Sequence, residues 1–289
     1  MRNTAAILFL FINLTIFFSC RDEEVIPNNT APPDQTVENV TISNYVNRVY
    51  VAVLGREASS SEKTAGFDLL RQNNLSYSSR SQFLDQVFSS GDYLPHLYDF
   101  ARIELLNNLD TADITFYLSI YHMFLLDTVQ QVYWEMITYE IERFDSLQRV
   151  PSDLANHLID IEYLHRRCVN NYFYDQINMG TENFVVSCFQ HFLSRYPTTY
   201  ELYQSKNMVE GVPAILFLES GQSKADFIRI FFTSKDYFEG LATNLYQRYL
   251  LRNPTSIEMG NASQSFSINH DYVQMQKDIL STNEYIGLE

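Results

Sequence analysis

The sequence is short of positive charge. Its 289 residues carry 20 Lys and Arg against 35 Asp and Glu, a formal net charge of −15. A surface that negative repels phosphate backbones, so nucleic acid is excluded as a partner, and electrostatic adhesion to anionic lipid is equally disfavoured. Cysteine is scarce, with three in the whole chain. That excludes a disulfide-dense scaffold and the paired-Cys zinc signatures. Nine Gly and eight Pro include no glycine-rich phosphate loop and no Gly-x-Ser-x-Gly elbow. There is one Trp, Trp134. What is abundant is apolar: 46% hydrophobic residues, with 20 Tyr and 21 Phe, enough to bury one large core or two ordinary ones.

The N-terminus carries an address. Arg2 is a short basic start, Ala5 to Phe18 an apolar run of signal-peptide length, and Ser19-Cys20 follows. This resembles a bacterial lipoprotein signal, residues 1–19, cleaved before Cys20, whose thiol then carries the lipid. An ordinary signal peptide or an N-terminal anchor would also place the chain outside the cytoplasm. Arg21-Asp22-Glu23-Glu24 resembles the surface-export signal of Bacteroidota lipoproteins. The expected location is the outer membrane, lipid-anchored at the cell surface, with the periplasmic face as the alternative. Residues 20–40, holding Pro27, Pro32 and Pro33, read as a flexible tether.

Beyond the tether one pattern recurs. Leu54-Gly55-Arg56-Glu57-Ala58-Ser59-x-x-Glu62, Leu193-Ser194-Arg195-Tyr196-Pro197-Thr198-x-x-Glu201 and Leu250-Leu251-Arg252-Asn253-Pro254-Thr255-x-x-Glu258 share an Arg-to-Glu spacing of six. Ser59/Glu62, Thr198/Glu201 and Thr255/Glu258 are capping boxes, and the arginines fall at the end of the incoming helix. Each copy therefore predicts a helix, a tight corner and a helix. An Arg–Glu pair across the corner makes Arg56, Glu62, Arg195, Glu201, Arg252 and Glu258 structural, not catalytic. A second element, ending Asp92-Tyr93, Asp236-Tyr237 and Glu284-Tyr285, predicts further capping boxes at Ser89/Asp92, Thr233/Asp236 and Ser281/Glu284. The helix after Tyr237 runs on into the third corner, so units share helices.

The fold class is all-α, a helical repeat or bundle of helix-corner-helix units. A first repeat spans 41–110, a long-helix insert 111–180 and two further repeats 181–289. Leu106 to Asp113 reads as a decayed corner with Asn107 in place of the arginine. The corners predict one elongated body. Taken together, the two recurring elements resemble a bacterial secreted and surface repeat family of unknown function, similar in pattern to phycobilisome linker domains. The resemblance covers about 41–94 and 183–286 and implies a helical scaffold, not an enzyme.

The middle carries the remaining candidates. Helices are expected over about 111–126, 128–149 and 152–177. Met123, Phe124, Tyr133, Trp134, Met136, Ile137, Tyr139 and Phe144 form a stripe that reads first as core and second as a partner groove. His157, Asp160, Glu162, His165 and Cys168 fall on one expected helix, and Cys188 and His191 on the next. His157, His165 and His191 are the metal candidates, though the spacings of helix-bundle metal sites are absent and no metal or cofactor is assigned. Cys168 and Cys188 are either a disulfide or two buried apolar side chains.

The function these readings favour is a non-enzymatic, lipid-anchored envelope scaffold or adaptor, bound to the membrane through its lipid and to an envelope protein or glycan. A carbohydrate- or polymer-binding surface lipoprotein is the alternative. A metal-dependent or redox protein using the 157–191 cluster ranks last.

Overall fold

The computed structural model describes residues 37–288. The signal peptide, Cys20 and the tether up to residue 36 lie outside the described residues. Sixteen α-helices and one short hairpin make up the described body, so the fold is all-α. No described helix is long and apolar enough to cross a membrane.

The first unit comprises α1 (Asn39–Leu54), α2 (Ser60–Gln72), α3 (Tyr77–Phe88) and α4 (Tyr93–Leu106). Helix α1 buries Ile42, Tyr45, Val46, Val49, Tyr50 and Val53, the i, i+3, i+4, i+7 face that its sequence spells out. The middle comprises α5 (Thr111–Leu126), a 3-10 turn (Thr128–Tyr133), α6 (Trp134–Gln148), α7 (Val150–Ala155), α8 (Ile161–Val169) and α9 (Tyr172–Ile177). Then follow α10 (Thr181–Leu193), α11 (Thr199–Val209), the antiparallel pair β1 (Ala214–Leu216) and β2 (Glu219–Gly221), α12 (Lys224–Phe232), α13 (Lys235–Leu250), α14 (Ser256–Asn269), α15 (Tyr272–Leu280) and α16 (Asn283–Ile286).

The three corners form as their residues dictate. Each incoming helix ends on a left-handed residue: Gly55 at φ 69°, Ser194 at φ 52° and Leu251 at φ 56°. Gly55 has a second reason to be glycine, since a Cβ there would stand 2.3 Å from His96 Nδ1. Ser59, Thr198 and Thr255 then close reciprocal capping boxes with Glu62, Glu201 and Glu258. Helix sharing is also present. Helix α13 starts at the closing element of one unit and ends at the corner of the next, packing so closely on α10 that a Cβ on Gly240 would meet Phe192 O at 1.9 Å.

Four expectations are corrected. The second recurring element does not cap through Ser89/Asp92, Thr233/Asp236 or Ser281/Glu284. Ser234 and Thr282 cap instead, accepting from the amides of Tyr237 and Tyr285, while Ser89 ends α3. The shift of one residue turns the tyrosines into the core and frees the acids for another partner. Second, the expected helix over 152–177 is three helices. His157, at φ 53°, ends α7, and Asp160 and Asn171 cap α8 and α9. Third, the hairpin at 214–221 was not anticipated. Its turn is Phe217-Leu218, both with positive φ, a conformation that neither side chain advertises.

Fourth, the described body is not an open, elongated array. Helix α16 packs back on α1, with Tyr285 edge-on to Tyr45 at 6.1 Å and beneath the Arg48 guanidinium at 4.3 Å. Arg80 donates to Ser281 O and Asn283 Oδ1, and Lys277 pairs with Asp85. A repeat array must cover the apolar faces of its end units. Here the first and last units cover each other.

Candidate functional site

The corner residues assemble into one cluster, built three times. Arg56 Nη1 and Nη2 donate to both Glu62 oxygens at 2.9 Å, and its Nε donates to Asp92 at 2.8 Å. Arg195 is bidentate to Glu201 at 2.7 and 2.9 Å and reaches Asp236 at 2.7 Å. Arg252 repeats this with Glu258 and Glu284. Each arginine also donates to the carbonyl of the next residue, Glu57, Tyr196 or Asn253. Each lies over an aromatic ring six residues back: Tyr50, Phe189 or Tyr246. The two recurring motifs are thus the two halves of one ionic lock. Sequence spacing did not reveal the second half, because the acids lie 36, 41 and 32 residues away.

The glutamates respond accordingly. The Arg56 hydrogen bonds, with those from Ser59, hold Glu62 at about 2, and Arg252 and Thr255 do the same for Glu258. For Glu201 burial acts upward, but the Arg195 and Thr198 hydrogen bonds outweigh it and the net shift is downward. The bidentate arginine–glutamate bonds of each lock are made within the protein.

The histidine and cysteine candidates do not form one cluster. His157 sits on the exposed end of α7, away from the others. His165 Nδ1 meets Tyr237 Oη at 2.8 Å, and His191 Nδ1 meets Tyr174 Oη at 3.1 Å. Burial, reinforced by the Arg248 charge, lowers His165 to about 3, so it is a neutral imidazole. Burial lowers His191 as well. Cys168 and Cys188 are fully buried free thiols, each pushed up to about 12 by burial, so no disulfide joins them. Among the described residues, no three His, Cys, Asp or Glu converge as a metal-ligand set.

His165 and His191 do share something the sequence did not announce. Both line a cavity of about 500 Å³ between α4, α8, α10, α13 and the start of α15. Its apolar wall includes Leu97, Phe100, Ile161, Phe192 and Leu241. Its polar lining includes Arg248 and Tyr272, which sequence reasoning missed. One signal was present for Arg248: its helical neighbours at i±3 and i±4 are Leu245, Leu251, Asn244 and Arg252, so no carboxylate stands within a turn.

The second feature is an arm. Helix α5 packs on α6 and on the 3-10 turn between them, and its aromatic contacts to α9 come from Tyr117 alone. Only Ile114 and Leu118 of α5 are buried. The expectation of a core stripe is therefore corrected. Ile137 and Phe144 are core and Trp134 is half-buried, but Met123, Phe124, Tyr133, Met136 and Tyr139 are exposed. They are joined by Phe116 and by Leu126, Val129 and Val132, which are 84%, 82% and 80% exposed. The reason is geometric: α5 is apolar around its circumference and lies mainly against α6. No Lys or Arg occurs between Arg102 and Arg143, and Asp113, Asp127, Glu135 and Glu142 within that stretch are exposed, while Arg143 lies over the Tyr139 ring at its end. A third surface is a tyrosine row on and before α11: exposed Tyr196, Tyr200 and Tyr203.

Comparisons with family models, curated proteins and solved structures find no match for this chain.

Proposed function

We propose that this chain is a non-enzymatic, lipid-anchored envelope adaptor that docks an envelope protein on its α5–α6 arm. The observation that carries the reading is the arm itself. A soluble chain seldom leaves a contiguous apolar patch uncovered unless something binds there, and thioether side chains such as Met123 and Met136 adapt to a partner's surface. The exposed acids of the Lys- and Arg-free stretch 103–142 point to the partner's chemistry: an apolar groove or helix face rimmed by Lys or Arg. They disfavour a second copy of this chain, which would bring the same acids, and an anionic bilayer. The lipoprotein-like start at Cys20 and the resemblance to surface repeat proteins support an envelope address and a scaffold role. The three locks support it too, since they spend the corner charges on architecture.

The test is reconstitution with an envelope protein fished by the chain and then purified. A Leu126→Ser, Val129→Ser, Val132→Ser variant should fold with an unchanged melting temperature and lose at least tenfold in affinity for that purified partner. Unchanged affinity in the variant would remove the arm from the interface and with it this reading.

One observation favours a second reading, glycan binding. Tyr200 and Tyr203 stand three apart on one helix face with Tyr196 beside them, and exposed tyrosines stack on sugar rings. Glycan-array binding by the wild type that disappears in Tyr200→Ala, Tyr203→Ala would replace the adaptor reading with this one.

A further inference from the structure

We propose that the cavity between α4, α8, α10, α13 and α15 binds a small monocarboxylate with an apolar body, and that Arg248 is its counter-ion. Arg248 is half-buried, and its guanidinium lies 3.3 Å from the centre of the Phe100 ring. Among the described residues it makes no hydrogen bond and no ion pair. It is thus a cation with five N–H donors and no internal acceptor. The contrast with the corner just past the same helix is plain: Arg252, four residues on, has two carboxylates and a carbonyl.

Of the neighbouring polar side chains, Asn244 and Gln247 are neutral and engaged elsewhere, and Glu104, the one carboxylate of the lining, lies exposed at the rim and forms no ion pair with Arg248 among the described residues. Asn244 accepts from Ser194 and donates to His191 O, and Gln247 donates to Asn253. Tyr272 lines the same cavity, and its hydroxyl likewise has no hydrogen-bond partner among the described residues. His165 and His191, each with Nδ1 taken by a tyrosine, also line the cavity and make no hydrogen bond through Nε2 among the described residues. A carboxylate offers the two acceptor oxygens that a guanidinium and a hydroxyl ask for.

The rest of the lining narrows the class. One guanidinium matches one negative charge, and Glu104 at the exposed rim stands against a dianion such as a phosphate monoester. The wall of Leu97, Phe100, Ile161, Phe192 and Leu241 asks for an aliphatic or aromatic body. A cavity of about 500 Å³ falls within the range of small-molecule sites. The inference goes beyond the adaptor reading and does not depend on the arm.

Isothermal titration of the purified chain with octanoate and 4-phenylbutyrate tests it, with octanamide as the neutral match. The expected result is one-to-one binding of at least one acid, at least tenfold tighter than octanamide, and a loss of about tenfold or more in Arg248→Gln. Gln190 is exposed at the rim and holds no hydrogen bond among the described residues, so Gln190→Trp should fold normally and block the same site. Equal affinity for octanoate and octanamide would overturn the proposal. So would acid binding that survives in both Arg248→Gln and Gln190→Trp, or no binding of either acid.

Discussion

Arg56, Arg195 and Arg252 each hold a corner glutamate, a distant acid, the next carbonyl and an aromatic face. The central copy is the least exposed on its glutamate side, with Glu201 at 15% against 29% for Glu62. Glu201→Ala removes a bidentate partner and half of a capping box. It should cost about 1–2 kcal/mol in urea unfolding, and Glu62→Ala less, because solvent screens the more exposed pair. Acid should act on the same groups. The folded values of Glu62 and Glu258 lie near 2 against an ordinary 4.5. The stability they supply is therefore complete above about 4.5 and disappears as pH falls toward 2. His165 begins to act at higher pH. It is neutral when folded, with a value near 3, whereas the unfolded ring takes a proton below about 6.5. Its share is intact above 6.5 and falls away between 6.5 and 3. A melting-temperature series should decline in both windows, and His165→Asn should flatten the upper one. Gly240→Ala forces α10 and α13 apart and should cost about 3 kcal/mol or more. A melting temperature within a degree of wild type would contradict that packing.

At the scale of elements, local chemistry was readable and long-range chemistry was not. The three corners were legible because a capping box is written within four residues. The acids of the second motif were visible as a pattern but assigned the wrong task, since an Arg–acid pair across 32 to 41 residues leaves no trace in spacing. The breaks after α7 and α8 had signals, Asp160 and Asn171, but helical periodicity across them outweighed two polar caps. The hairpin at 214–221 had none, because Phe217-Leu218 is not turn chemistry. The arm's residues were picked out by composition. Whether they face the core depends on how many helices surround α5, which no pattern within α5 records. Cavities such as that at Arg248 depend likewise on five elements meeting. One element-scale link is open to direct test. Tyr249 Oη donates to Gln276 Oε1, and Gln276 Nε2 donates to Tyr93 Oη, joining α13, α15 and α4 in the interior. Gln276→Leu leaves two buried hydroxyls without that partner and should cost about 2–3 kcal/mol in equilibrium unfolding.

At the scale of the molecule, the first and last units close on each other, and the arm carries nine exposed large apolar side chains between Phe116 and Tyr139. Site-specific photocrosslinking can show whether the arm is a docking surface. A benzophenone side chain would be placed at Val129 on the arm and, as control, at Ile268, which is nearly as exposed on α14. Irradiated envelopes should give one discrete protein adduct from position 129 and none from 268, with the adduct abolished when Leu126 and Val132 are changed to serine. Equal labelling from both positions, or no adduct from 129, would contradict it.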